Sequence, residues 1–120
     1  AYPVGALFHV PHGESNAMML APVMSFNRTV CQADYASIAR HLKISHSVCD
    51  IEACDSLIKA ITDMINHLCL PDRLSQVGIE ASDIELLVNG ALNQTRLLSF
   101  NPRLLERDDI RRIYQSVLAD

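Results

Sequence analysis

The strongest periodic pattern in the chain lies between residues 50 and 70, where apolar side chains recur at intervals of three and four positions. The apolar positions are Ile51, Cys54, Ile58, Ile61, Ile65 and Leu68, with Leu57 and Met64 beside this stripe. The polar positions opposite are Glu52, Asp55, Lys59, Thr62, Asp63 and Asn66. This spacing predicts an amphipathic helix. Asp50 is a suitable N-cap and Pro71 ends the pattern.

Three shorter stretches, over residues 32–43, 83–92 and 107–118, show the same helical spacing. Their apolar positions are Tyr35, Ile38, Ala39 and Leu42; Ile84, Leu87, Val88 and Ala91; and Ile110, Ile113, Tyr114 and Val117. The second begins with Ser82-Asp83-Ile84-Glu85, which matches a capping box. The third begins among Glu106, Asp108 and Asp109, whose negative charges favour the positive end of a helix dipole.

A further helix is predicted over residues 12–26, and it has almost no polar face. Such a helix is either buried on all sides or has a second face that awaits a partner. Pro22 lacks a backbone donor and is expected to kink it. No segment alternates with a period of two, so no strands are expected. The fold class is therefore all-α, a bundle of about five helices.

Length and composition fit one compact domain. The chain has 120 residues, of which 49% are hydrophobic and 20% charged. This balance argues against intrinsic disorder. The longest apolar run, residues 17–24, has eight members and contains Pro22, so no membrane span is expected because a span needs about 18 or more apolar residues.

The net charge of −4 and the absence of a basic stripe argue against nucleic-acid binding. Arg103, Arg107, Arg111 and Arg112 are interspersed with acids, and we expect a solvated face with pairs such as Asp108–Arg112. The four cysteines form no C-x-x-C pair. They are expected to be reduced, partly buried thiols of a cytoplasmic protein.

Two of the five histidines, His9 and His12, lie in a segment that is a candidate for metal binding. His41, His46 and His67 are expected to be structural or solvated, whereas Pro11 and Gly13 place His12 at a turn into a helix N-terminus. An imidazole displayed there can coordinate a divalent metal. His9 and His12 alone are more typical of a structural pair, since zinc or iron(II) would need two further ligands.

Five ordered segments resemble motifs of the iron-containing (group III) alcohol dehydrogenase family. Residues 3–17 resemble the family's second signature, residues 35–39 one of its helices and residues 70–79 a linking motif. The fourth segment is Asp83-Ile84. The fifth has two parts, Asn101-Pro102-Arg103 and then Asp109-Ile110-x-x-Ile113-Tyr114. Because these motifs span the whole chain, the resemblance is far more specific than the histidine turn alone.

The resemblance implies a two-domain enzyme with an N-terminal NAD(P)-binding domain and a helical C-terminal domain of the dehydroquinate synthase-like type. Residues 1–120 match only the C-terminal, metal-site-completing domain, which is about the last third of such an enzyme. The chain begins Ala1-Tyr2-Pro3 without an initiator Met. We therefore expect it to be a piece of a longer protein, with the missing N-terminal domain as its partner.

The resemblance also implies three site residues. Family members hold one divalent ion, iron or sometimes zinc, with an Asp and three His. His12 matches the last of these ligands, and the others would precede Ala1. Tyr2 stands near the nicotinamide where the family commonly has His, and a phenol does not accept a proton near neutral pH. Leu97 replaces a residue, often Cys, that lines the substrate pocket, which implies an altered substrate shape.

The function implied is NAD(P)- and metal-dependent hydride transfer between small alcohols and aldehydes, in which the metal activates the alcohol oxygen. With one ligand of four, this piece is expected to bind no cofactor and to be inactive alone. Two alternatives stay open: a non-catalytic helical interaction module, and a relative that acts on hydroxy acids or maleylacetate. The His12-Gly13 turn favours the alcohol dehydrogenase. Asn101 and Arg103 are expected to fix the C-terminal loop, and homo-oligomerisation is open.

Overall fold

The computed structural model describes residues 1–119, and these residues form helices and no strands. The α-helices are α1 (Tyr2–Phe8), α2 (His12–His41), α3 (Asp50–His67), α4 (Ile84–Leu92), α5 (Thr95–Ser99) and α6 (Arg107–Ser116). Short 3₁₀ turns cover Leu74–Val77 and Ala81–Asp83. The predicted all-α class is confirmed. No helix within residues 1–119 is long and apolar enough to cross a membrane.

Helix α2 is a single helix of 30 residues, so the predicted division into helices 12–26 and 32–43 is wrong. Pro22 lies inside it without ending it, because one missing donor removes only one intrahelical bond. The second half is held by α3: Ala36 and Ala39 form a small buried cluster with α3, and an ion pair joins Arg28 to Asp55. Of the two alternatives for residues 12–26, burial on all sides does not hold, since Leu20 is 47% exposed.

Helix α3 packs along α2 with the middle of the predicted stripe, where Cys54 and Ile65 are buried and Ile58 and Ile61 half-buried, but the two ends of the stripe are exposed. Ala53, Cys54, Leu57 and Ile65 are buried, whereas Ile51, Met64 and Leu68 are more than half exposed. The helix ends at His67 because Cys69 turns left-handed at φ 54° and the Leu70 amide donates back to the Ile65 carbonyl at 3.1 Å. Asp50 does not cap the helix; its carboxylate accepts from Nη2 of Arg40 at 2.7 Å.

The main core lies where α1, the start of α2, α4 and α6 meet. Its fully buried side chains include Val4, Met18, Leu74, Ile79, Leu87 and Val88. The link after α3 is tied to the end of α6, since the amides of Leu74 and Ser75 donate to the carbonyls of Val117 and Leu118 at 2.7 and 2.9 Å. The chain between these two points, which contains α4, α5 and α6, therefore begins and ends at the same place in the fold.

The pairing of charges between α4 and α6 differs from the sequence prediction. The capping box lies two residues earlier than expected, with the Glu80 amide donating to the Asp83 carboxylate at 2.9 Å. Glu85 instead accepts from Nε of Arg111 at 2.5 Å, and this hydrogen bond holds the pKa of Glu85 below its usual range. Asp108 pairs with Arg111, so the predicted Asp108–Arg112 pair is wrong.

Candidate functional site

His12 is the first residue of α2 and its side chain is exposed. Pro11 precedes it as the N-cap, in extended conformation at φ −52° and ψ 141°. The side-chain amide nitrogen of Asn16, one turn later, lies 3.1 Å from Nε2 of His12. The predicted turn is therefore present, and it presents the imidazole to solvent at the helix start with one ring nitrogen hydrogen-bonded.

The segment before His12 is itself a helix, α1, which the periodicity of the sequence did not indicate. His9 ends α1 in the left-handed region at φ 58°. Ser15 is fully buried beneath the turn, and its hydroxyl donates to the His12 carbonyl at 3.0 Å. Val10 is also buried. These contacts fix the backbone of the histidine turn against the main core.

Close approach to α4 sets the position of α1. A Cβ atom added at Gly90 would lie 3.0 Å from Cβ of Pro3 and 3.6 Å from Cδ1 of Leu7. Tyr2, next to this contact, opens α1 and is 54% exposed. The absence of a side chain at Gly90 thus lets α1 lie close to α4. The sequence reasoning missed this residue, and its one signal was a glycine inside an otherwise apolar helix.

Leu97 lies on the short helix α5 and is 55% exposed. Within residues 1–119, no hydrogen bond directly joins α1, which carries Tyr2, the start of α2 at His12, and α5, which carries Leu97. What the structure shows is that α1, with Tyr2, packs on both α2 and α4, and that α4 leads into α5. Three exposed apolar side chains lie near these residues in the chain: Leu7 on α1, Phe100 at the end of α5, and Leu104 in the loop after α5.

The loop after α5 is fastened to the middle of α2. The side-chain amides of Asn27 and Asn101 donate to each other's oxygen atoms at 2.8 Å in both directions. Nη1 of Arg103 donates to the Phe26 carbonyl at 2.8 Å, and its guanidinium lies 3.9 Å from the centre of the Phe26 ring. The expectation that Asn101 and Arg103 fix this loop is confirmed. The sequence reasoning missed Asn27, whose only signal in the sequence is a polar residue directly after the apolar stretch of α2.

The described residues do not by themselves fit a catalytic metal. Within residues 1–119 no group of three or more His, Cys, Asp or Glu side chains is arranged to hold an ion, and catalytic zinc sites use three protein ligands. The four cysteines are free, with Cys54 buried and Cys49 and Cys69 exposed. A metal site that included His12 would therefore need further ligands from outside residues 1–119.

The chain is similar to one family of known proteins along almost its full length. The sequence model for the C-terminal region of the Fe-containing alcohol dehydrogenase family matches residues 1–118. Long-chain-alcohol dehydrogenase 1 of Geobacillus thermodenitrificans is 36% identical over 99% of this chain and 30% of its own length. NADPH-dependent butanol dehydrogenase of Clostridium saccharobutylicum is 31% identical over 98% of this chain and 31% of its own length.

The fold is similar as well. The crystal structure of a 1,3-propanediol oxidoreductase superimposes with a TM-score of 0.90 over 98% of this chain and 31% of that chain, at 24% sequence identity. At this identity the likeness concerns the fold. The chain thus spans about 30% of the length of the curated relatives it matches.

Proposed function

This chain belongs to the Fe-containing alcohol dehydrogenase family, and we propose that residues 1–120 form the C-terminal helical domain of an NAD(P)- and metal-dependent alcohol dehydrogenase. The observation that carries the proposal is the match of the family's C-terminal region to residues 1–118. The family resemblance drawn from the sequence is confirmed by this match. Relatives whose names state an activity are dehydrogenases or reductases of alcohols and aldehydes.

The proposed partner is an N-terminal NAD(P)-binding domain. The chain spans about 30% of the relatives' length, so a cofactor-binding half and most of the metal ligands belong to the proposed remainder of the enzyme. The substrate would be a small alcohol or aldehyde, and the cofactors NAD(P) and iron, with zinc as the alternative. Alone, we expect residues 1–120 to be inactive. We place the enzyme in the cytoplasm, in keeping with its free cysteines.

His12 is the residue we propose as a ligand of this metal. Its exposure at the start of α2 leaves it accessible to a second domain, while Ser15 holds its backbone from below. Tyr2 is proposed to lie beside the nicotinamide, where its phenol can donate a hydrogen bond but does not accept a proton near neutral pH. Leu97 is proposed as a wall of the substrate pocket, where its branched side chain would exclude bulky substituents.

The test is His12→Ala in the intact protein that contains this chain, with bound metal and alcohol turnover measured together. Loss of one ligand should lower both by about tenfold or more. His46→Ala is the matched control, because His46 is an exposed loop histidine just after the C-terminal end of α2, whereas His12 lies at its N-terminal end. Equal metal content in the two variants would contradict the role of His12. An intact protein without turnover on alcohols, aldehydes or hydroxy acids would favour the interaction module.

A further inference from the structure

Two adjoining cavities run along the seam between α2 and α6. One has a volume of about 290 Å³ and extends toward α3, and the other, of about 370 Å³, extends toward the loop after α5. Both are lined by Pro22, Ser25 and Ser116. The two cavities therefore adjoin at these shared residues, and together they are named the α2–α6 groove.

The end of the groove next to α3 is apolar. Met18, Ile65 and Val117 form its buried floor, and Ala21 and Ile58 line it as well. At about 30 Å³ per water molecule, the cavity has the volume of roughly ten waters, which is room for a short alkyl chain. The Asp72 and Arg73 side chains at its rim form an ion pair at 3.7 Å. This end favours an aliphatic chain over a charged group.

The opposite end of the groove carries two guanidinium groups. Arg103 is held in place by the Phe26 carbonyl and ring. Arg112 forms no ion pair within residues 1–119, because Asp108 is paired with Arg111. Asp109, which also lines this end, accepts the Glu106 amide at 3.1 Å. Two positive charges against one hydrogen-bonded carboxylate leave this end positive in a chain with net charge −4.

The groove is distinct from the other exposed apolar surface of α2. Leu20 and Ile38 are exposed and lie on one face of the helix, since 18 residues make five full turns. Pro22, in the groove, is about 160° around the helix from that face. A domain that covers Leu20 and Ile38 would therefore leave the groove open to solvent.

We propose that the α2–α6 groove binds a straight-chain aliphatic carboxylate of roughly six to ten carbons. The carboxylate would lie between Arg103 and Arg112, because guanidinium groups pair with carboxylates through strong, charge-assisted hydrogen bonds. The alkyl chain would pass over Pro22 and enter the apolar end beside Met18 and Ile65. Burial of the chain and pairing of the charge both contribute to binding. This site is separate from the proposed dehydrogenase site and does not depend on it.

The experiment is calorimetric titration of the intact protein with octanoate, compared with 1-octanol and octylammonium, which share its chain but not its charge. Octanoate should bind saturably and about tenfold or more tighter than either. Arg112→Ala should weaken octanoate binding by about tenfold, and Ala21→Leu, which fills the apolar end, should abolish it. Arg96→Ala is the matched control, an exposed arginine on α5 outside the groove, and should bind as the wild type does.

Three outcomes would overturn the proposal. Equal binding of octanoate and 1-octanol would show an apolar crevice without anion recognition. Equal weakening by Arg96→Ala and Arg112→Ala would show general charge attraction only, and absence of saturable binding would show no site. Circular dichroism of each variant establishes that it is folded, and Arg112 is exposed, so its replacement leaves the core intact. Turnover is not part of the readout, so failure of the proposed enzymatic function would leave this result interpretable.

Discussion

Substituting Gly90 by Ala tests whether the close contact between α1 and α4 sets the position of the histidine turn. The added Cβ would lie 3.0 Å from Cβ of Pro3 and 3.3 Å from its Cγ. Both atoms belong to a rigid ring attached to the backbone, so a rotamer change does not relieve the contact. Either α1 moves away from α4 or the contact stays overpacked.

The expected free-energy change combines two opposing terms. Ala is favoured over Gly by about 1 kcal/mol inside a helix, whereas overpacking of a well-packed contact costs about 1–3 kcal/mol. We expect a net destabilisation of about 1 kcal/mol, because Pro3 and Val4 are buried and oppose a shift of α1. Gly13→Ala is the matched control: its Cβ would meet nothing within 4 Å, so only the helix-propensity term remains and stability should rise.

The assay is urea unfolding of the intact protein followed by circular dichroism, with the free energy of unfolding obtained at constant slope. The two Gly→Ala variants should change this free energy in opposite directions. Adding Pro3→Gly removes both nearby atoms of the proline, and in that background Gly90→Ala should destabilise less. If Gly90→Ala stabilises the protein as much as Gly13→Ala does, the contact is not tight and the reasoning is refuted.

Three further predictions concern stability. Asn27→Ala removes a buried partner of Asn101 and should cost about 1–3 kcal/mol in urea unfolding; a cost no larger than that of an exposed substitution would contradict the role of the amide pair. Burial raises the pKa of Tyr114 to about 12, so the folded state keeps a proton that the unfolded state releases above pH ~10. Stability should be intact below that pH and should fall by about 1.4 kcal/mol per pH unit between pH ~10 and ~12, and Tyr114→Phe should lack this part of the slope. Lys43 has a left-handed backbone conformation at φ 59°, so Lys43→Gly should raise the free energy of unfolding by about 1 kcal/mol and with it the melting temperature. Lys43→Ala should raise neither.

Much of the fold follows from local pattern. The spacing of apolar residues in α3, α4 and α6 predicts helices there, since one apolar face must be buried whatever the partner is. The acidic start of α6 likewise predicts its capping, which Glu106 and Asp109 carry out. The ordered motifs along the whole chain were specific enough to indicate the family, because each depends on residue types and spacing that are visible without coordinates.

The faces, ends and contacts of these helices were decided by tertiary structure. The small side chains Ala36 and Ala39 let α3 approach α2 on Ala53 and Leu57, and this turned Ile51 outward. Helix α2 is also continuous across residues 27–31, where the sequence predicted a gap between two helices, and its second half packs against α3. Periodicity cannot show such outcomes, because they depend on the shape of a partner distant in the sequence.

The candidate site shows the same division between sequence and structure. The family resemblance singled out His12, Tyr2 and Leu97, and Pro11 and Gly13 predicted that His12 lies at a helix start, as the structure has it. The Asn27–Asn101 pair joins residues 74 positions apart, and the Gly90–Pro3 contact joins two different helices. Hydrogen bonds and close packing act over a few ångströms in space, whereas a sequence pattern reports only separation along the chain. Only the tertiary structure could therefore show what holds this site in place.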